Sequence, residues 1–595
     1  MNRSPHWLQA IIVSLVVVVS APPARSATEF PFNEAARIAA TNDTSLKAMR
    51  GIVERFTTDR EALERYYNIR WSDARRERLG QFLEERSRTL DAVNFAALDQ
   101  ESRIDHLLLR NEIRFQHQEL DRQKNQQQEV AGMLPFAQGI VALEESRRRL
   151  EPLDSAKAAR TVTDLRGQIA DAQRKLEETL KDTKSTNAAG KVLGNRAVRM
   201  IDELRRSLRT WNTFYSGYDP EFSWWMKKPF EEADKALNDY AGVIRRKVVG
   251  AVEGEDDPVV GDPIGREALL AALQHEMIPY TPEELIRIAE KEFEWCEKEF
   301  KRAAQDMGLG DDWRKALEKT TQNYMKPGEQ PKLIRQLADE AVTFLEERNL
   351  VTIPTLAKQL WRMEMMTPER QKVNPYFTGG EVISVSFPTD GMGHEEKLMS
   401  LRGNSIHLCR ATVHHELIPG HHLQLFMAAR FRTHRAEFRT PFLVEGWALY
   451  WEMLLWDLGF PKTPEDRVGM LFWRSHRCAR IIFSLKFHLG QMTAPQAIDF
   501  LVERVGHERR NATGEVRRSV AGDYGPLYQA AYMLGGLQIR GLRKELVESG
   551  KMTDRDFHDA ILRENAIPIE FIRASLGGQT LTKDFGSQWR FYDVK

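Results

Sequence analysis

Five times along this chain a threonine stands directly before a stretch of helical spacing, and that punctuation does most to limit what the chain can fold into. In Thr281-Pro-Glu-Glu284 the threonine can cap free backbone N–H groups and proline takes the first helical position, where no donor is needed. The glutamate three residues on can bond back to the cap. Leu285, Ile288, Ala289, Phe293, Cys296 and Phe300 then recur on one helical face. Thr367-Pro-Glu, Thr463-Pro-Glu, Thr493-Ala-Pro-Gln and Thr553-Asp-Arg-Asp repeat the start signal. Another apolar stripe, Leu165, Ile169, Ala172, Leu176 and Leu180, runs up to Asn187 and Gly190. The expected fold class is mainly α.

One segment breaks the helical period. From Val382 to Phe387, Ile383, Val385 and Phe387 alternate with Ser384 and Ser386 between Gly379-Gly380 and Pro388, a strand pattern that predicts a small hairpin or sheet. Gly250 to Gly265, rich in Gly, Asp and Pro, is the best linker. It divides an N-terminal helical region, 27–255, from a C-terminal one, 256–595, with the two expected to pack as one body. The charged run Arg147-Arg-Arg149 is read as a solvated helix face.

Met1 to Ala27 reads as a secretory signal: Arg3 opens it, Ala10 to Ser20 is almost wholly apolar, and Ala24-Arg25-Ser26 offers small residues at a cleavage point. Cleavage after Ser26 makes 1–26 the signal and the mature protein periplasmic or secreted. An uncleaved anchor is the rival, but the apolar run is shorter than the roughly 20 residues that span a bilayer, so no stable membrane insertion is expected. Loss of Arg3 and Arg25 from 86 basic residues leaves 84 against 86 acidic ones, a balance that favours no nucleic-acid partner. Cys296, Cys409 and Cys478 are too few for a disulfide framework and are not spaced as zinc pairs. With 42% hydrophobic residues, the fold must stand on its core.

The chemistry concentrates in His414-His-Glu-Leu-Ile-Pro-Gly-His-His422, four of the protein's 15 histidines with a glutamate among them. Imidazole and carboxylate suit a divalent transition metal, zinc above all. In the common zinc helix two ligands lie four residues apart and point at one ion. His415 and His421 lie six apart, about 600° round an ideal helix, so an unbroken helix would aim them differently. Pro419, four residues after His415, removes a backbone bond and Gly420 adds freedom to bend. A bulge looping out two residues would restore the spacing; His422 would need three absorbed, and stays the alternate.

A third ligand is sought in Phe442-Leu-Val-Glu-Gly-Trp-Ala-Leu-Tyr-Trp-Glu452, where a carboxylate among apolar and aromatic residues is costly to bury without a counter-charge. Glu445 is the candidate. Glu452, two turns on, is the alternative ligand or a partner orienting a histidine. Glu416 is then free as a general base, and three protein ligands leave a position for water. That set describes an activated-water hydrolase. A satisfied polar network and a purely structural metal site are the plainer readings.

The motifs His415-Glu-Leu-Ile-Pro-Gly-His-His-Leu-Gln424, Glu445-Gly-Trp-Ala-Leu-Tyr450 and Tyr532-Met-Leu-Gly535 together resemble the bacterial family called domain of unknown function 885. The same residues look like a stretched version of the helical zinc peptidases of the thimet oligopeptidase and angiotensin-converting enzyme type, in which a glutamate ligand follows the second histidine by some two dozen positions. Here His421 to Glu445 is 24 positions, but Ile418 and Pro419 are extra.

The resemblance implies a helical zinc-peptidase-like body with a deep substrate channel and a strand near the active site that binds substrate backbone. Ser384 to Phe387 would be that strand. It also implies a phenol that stabilises the oxyanion: Tyr528 and Tyr532 would share a helix face, with Tyr532 preferred because it lies in the matching motif. Gly535 and Gly536 would let that helix approach another closely. Arg474, His476, Arg477, Arg480 and His488 form a stretch that could hold a substrate carboxylate.

The expectation is a secreted or periplasmic zinc metallopeptidase for short peptides. Zn2+ is held by His415, His421 and Glu445, with Glu416 and Tyr532 catalytic. The alternatives are a metal-dependent hydrolase of another amide or an ester, and a non-catalytic metal- or peptide-binding protein.

Overall fold

A computed structural model describes residues 46–182, 188–253, 257–371, 376–521 and 524–593. The expected signal, 1–26, and the stop at Asn187 lie outside these residues, and Gly190, expected to help end that helix, stands instead in the next one, Ala188–Tyr215. Within them the protein is mainly α, as the start signals require. Thr281, Thr463 and Thr493 each close a reciprocal capping box, and the Thr553 side chain accepts from the Asp556 N–H. Thr367 opens only a short turn, Pro368–Gln371. The 165–180 stripe lies on one helix, Ser155–Asp182, with Leu165 and Ile169 buried. Of the basic run, Arg147 pairs with Glu144 and Arg149 with Glu151.

Besides a small core in which Leu333, Ile334 and Leu337 pack with Ile383, Val385, Cys409, Val413 and Leu417, two larger apolar cores organise the described residues. One lies entirely between Ile69 and Val248. The other joins residues from Met49 to Ile113 with residues from Leu269 to Trp589, so the first helices pack with the C-terminal half. The expected linker is irregular where described, yet it is fastened: Asp262 pairs with Arg196 and Arg199, and Gly261 packs against Phe487 and Val520.

Five helices build the centre: α1 (Ile406–Glu416), α2 (His421–Ala428), α3 (Pro441–Asp457), α4 (Pro464–His488) and α5 (Tyr528–Leu546). Every residue of α3 from Phe442 to Leu455 is buried, as is every residue of α4 from Val468 to Leu485. Helices buried on all sides run through a core rather than over it, and the arginines and the histidine of that α4 span are buried with it. Each buried Leu or Phe contributes roughly 1.5–3 kcal/mol, which anchors both helices along their length. Their crossings are set by glycines. A Cβ on Gly469 of α4 would lie 2.3 Å from the His407 carbonyl oxygen of α1, and one on Gly535 of α5 would lie 1.9 Å from that of Phe442 in α3.

The strand forms, but not as a hairpin. β1 (Arg362–Met365) and β2 (Val382–Val385) pair in parallel, Arg362 opposite Val382 and Met365 opposite Val385. A parallel pair needs a crossover, here containing the Pro368–Gln371 turn. β2 stops two residues short of Phe387 because the Ser386 hydroxyl and the Phe387 N–H both donate to the Gln371 side chain. Among the described residues no helix is long and apolar enough to cross a membrane.

Candidate metal centre

The expected bulge is a full break. α1 ends at Glu416, Leu417 turns away from helical geometry (φ −107°, ψ −107°), the Ile418–Pro419 peptide is cis, and α2 starts at His421. Pro419 cannot donate, so its neighbours carry the turn: Gly420 N–H donates to the His414 carbonyl at 3.0 Å and His422 N–H to that of Leu417 at 3.1 Å. A Cβ on Gly420 would sit 1.8 Å from the His415 carbonyl oxygen, so only glycine fits. The Trp447 indole donates to the Pro419 carbonyl at 2.8 Å and ties the turn to α3. Ending one helix and starting another absorbs the extra residues that an unbroken helix could not.

His415, His421 and Glu445 thereby converge, with one side-chain donor atom of each within 4.8 Å of the others. Glu445 Oε2 lies 3.2 Å from His421 Nε2 and 3.9 Å from His415 Nε2. Two ligands at tetrahedral angles around zinc stand roughly 3.4 Å apart, given bonds of about 2.1 Å. The Tyr528 hydroxyl donates to Glu445 Oε1, whereas Glu445 Oε2 is buried and has no hydrogen-bond partner. An orphaned carboxylate oxygen facing two imidazole nitrogens fits a divalent cation. Behind it, Glu452 Oε1 lies 2.6 Å from His415 Nδ1 and leaves Nε2 to face the cluster.

The electrostatics follow from this packing. Burial alone would raise the Glu445 pKa, but His421 and His415 beside it, with the Tyr528 hydroxyl, hold it well below the usual carboxylate range. Glu416 goes the other way: burial raises it, and the opposing pull of His421 and His415 is smaller. Its backbone is covered by the loop before β2, where Gly380 N–H donates to the Glu416 carbonyl at 3.2 Å. A Cβ on Gly379 would lie 2.4 Å from that of Glu416. The Gly379-Gly380 pair, read from sequence only as a strand boundary, is what lets this loop lie on the glutamate.

The remaining candidates separate. His422 turns away, its Nε2 2.7 Å from the Ala357 carbonyl oxygen, and takes no part in the cluster. Tyr532 lies near it, its ring 6.2 Å from that of His415 and nearly parallel at 15°. Burial pushes the Tyr532 phenol up to about 12. It is Tyr528, the other phenol, that touches a cluster carboxylate. On α4, Arg474 pairs with Glu292, Arg480 with Glu515, and His476 Nδ1 meets His507 Nε2. A cavity of about 580 Å³ is lined by Tyr376, Ser386, Phe387, Met392 and Arg510 among others, so the chain beyond β2 borders open space. None of the cluster residues lines it.

Fold and centre define a large helical protein with a buried His-His-Glu cluster at a broken helix. Residues 61–576 match the family described as "Bacterial protein of unknown function (DUF885)", and the chain belongs to that family. No curated protein matches. Two solved structures share the fold. One, "a putative lipoprotein of unknown function from Shewanella oneidensis", is 19% identical with a TM-score of 0.65 over 88% of this chain and 98% of its own. The other, "the putative lipoprotein from Colwellia psychrerythraea", is 14% identical with a TM-score of 0.57 over 91% and 98%.

Proposed function

We propose that the protein is a zinc-dependent hydrolase of short peptides that works outside the cytoplasm. The observation that carries the reading is the buried, unpartnered Glu445 Oε2 facing the Nε2 atoms of His421 and His415. Structural zinc sites are usually closed and cysteine-rich, whereas three His and carboxylate ligands with a free position are the pattern of catalytic ones. His421, 11% exposed at its side chain, is the least buried of the three. The sequence likeness to helical zinc peptidases supports peptides as substrate. The expected signal segment and the lipoprotein descriptions of the two similar structures support the location.

Zinc, when bound, acidifies a water and polarises a carbonyl. The chain supplies the rest. Glu416, adjacent to His415 and raised in pKa by burial, accepts a proton from the attacking water and returns it to the leaving amine. Tyr532, held beside His415, donates to the developing oxyanion. Glu452 keeps His415 in the tautomer whose Nε2 is free, and Tyr528 does the corresponding work on Glu445.

The test is metal analysis of protein purified without chelator, together with mass spectrometry of products from a mixed peptide pool. About one zinc per chain and new peptide termini are expected. Metal at trace level only, or release from ester and non-peptide amide substrates alone, defeats the reading.

A further inference from the structure

Arg477 stands out on α4 because its neighbours are neutralised and it is not. Arg474 meets Glu292 at 2.8 Å and Arg480 meets Glu515 at 2.6 Å. Arg477 is 6% exposed, its Nε has no hydrogen-bond partner, and among the described residues no carboxylate lies within ion-pair distance of it. Its guanidinium carbon lies 4.6 Å from the ring centre of Tyr532 and 5.3 Å from that of Trp473. Two aromatic faces return much less than an unpaired buried charge costs. Glu445 and Glu452 of the centre act on this cation through space without forming an ion pair with it: Glu445 Oε1 accepts from Tyr528 and Glu452 Oε1 meets His415, while their other oxygens are buried without a hydrogen-bond partner.

Tyr532, which also carries Arg480 at 4.6 Å, links this cation to the centre, since its ring lies 6.2 Å from that of His415. The two contacts put the guanidinium within about 11 Å of that ring, a distance covered by up to about three residues of extended chain at roughly 3.4 Å each. A planar guanidinium suits a carboxylate, which it can grip with two parallel bonds. We infer that Arg477 receives a carboxylate of the substrate, so that the hydrolase proposed above, on which this rests, acts on peptides with a free carboxylate close to the scissile bond. That group is either the chain end or an Asp or Glu side chain.

Calorimetry on the full-length Glu416→Gln chain reads binding without turnover. The probes are Ala-Ala-Ala against its amide, for a chain end, and Ala-Glu-Ala amide against Ala-Gln-Ala amide, for a side chain. At least one acid is expected to bind about tenfold tighter than its neutral partner, and adding Arg477→Met should abolish that preference. Where the methionine variant does not fold, Arg477→Lys decides: it keeps a charge but not the fork, and the preference should drop several-fold. Equal binding of acids and neutral partners, no binding of either acid, or a preference unchanged by replacing Arg477 overturns the inference. Acid-selective binding in a wild-type protein that cleaves no peptide would sink the hydrolase reading alone; cleavage without acid preference would sink only the role of Arg477.

Discussion

Gly446 and Gly535 meet backbone to backbone: a Cβ built on Gly446 would lie 2.6 Å from the Cα of Gly535. This contact places Glu445 of α3 under Tyr528 and beside Tyr532 of α5. Gly535→Ala should therefore do more than overpack a core, for which about 1–3 kcal/mol is usual. It should push α5 off α3 and break the Glu445–Tyr528 contact. Denaturant titration should show a loss at or beyond the top of that range. Gly167→Ala, in a helix with nothing within 4 Å of the new methyl, is the control and should gain up to about 1 kcal/mol. Equal effects at the two sites would show that the crossing tolerates a methyl.

Glu452 is expected to act through His415. Its carboxylate at Nδ1 fixes the ring and strengthens Nε2 as a donor, and partners of this kind typically change metal affinity about 10- to 100-fold. Glu452→Gln keeps the shape but removes the charge. Zinc competition against a chelator should show a loss of that size, with the circular dichroism spectrum unchanged. An affinity equal to wild type would leave the glutamate as packing only.

The helices were legible because capping is local: Thr281, Thr463 and Thr493 carry their whole signal within four residues. Glu445 was legible for a different reason, since a carboxylate among Phe442, Trp447 and Trp451 needs a partner wherever the helix lies. The break at 417–420 was half legible. Pro419 and Gly420 announced that the helix could not continue, but whether it bulges or restarts depends on Trp447 and Gly380, distant residues that take up the freed backbone groups. The parallel pairing of β2 was hidden for the same reason, because alternation specifies a strand and not its neighbour. Nor did local pattern show that Arg477 would be left unpaired between two paired arginines.

Glu515 links stability to pH. Burial alone would raise its pKa, but Arg480 and Arg518 overcome that and hold it at about 2, against 4.5 for an ordinary glutamate. A depressed carboxyl contributes its stability fully above the unfolded value and loses it as pH falls from about 4.5 towards 2, up to about 3 kcal/mol in all. Glu515→Gln removes this contribution. Unfolding free energies at pH 7, 5 and 3 should therefore show the variant weaker at the two higher values, with the gap narrowing at pH 3. A gap that is constant across the three would mean that the ion pairs do not carry the difference.

Glu416→Gln separates chemistry from construction. The side chain lies against Gly379 and keeps its volume as an amide, so the loop over it should stay in place and the fold should melt as wild type does. His415, His421 and Glu445 are untouched, so zinc content should remain near one per chain. An amide cannot take a proton from water at neutral pH, and general-base catalysis is commonly worth 10²–10⁴-fold. The expected result is therefore a fall in kcat of at least about 100-fold with little change in KM. Retained turnover in a variant that still binds metal would move the base to another residue; loss of metal along with turnover would make Glu416 part of the binding set.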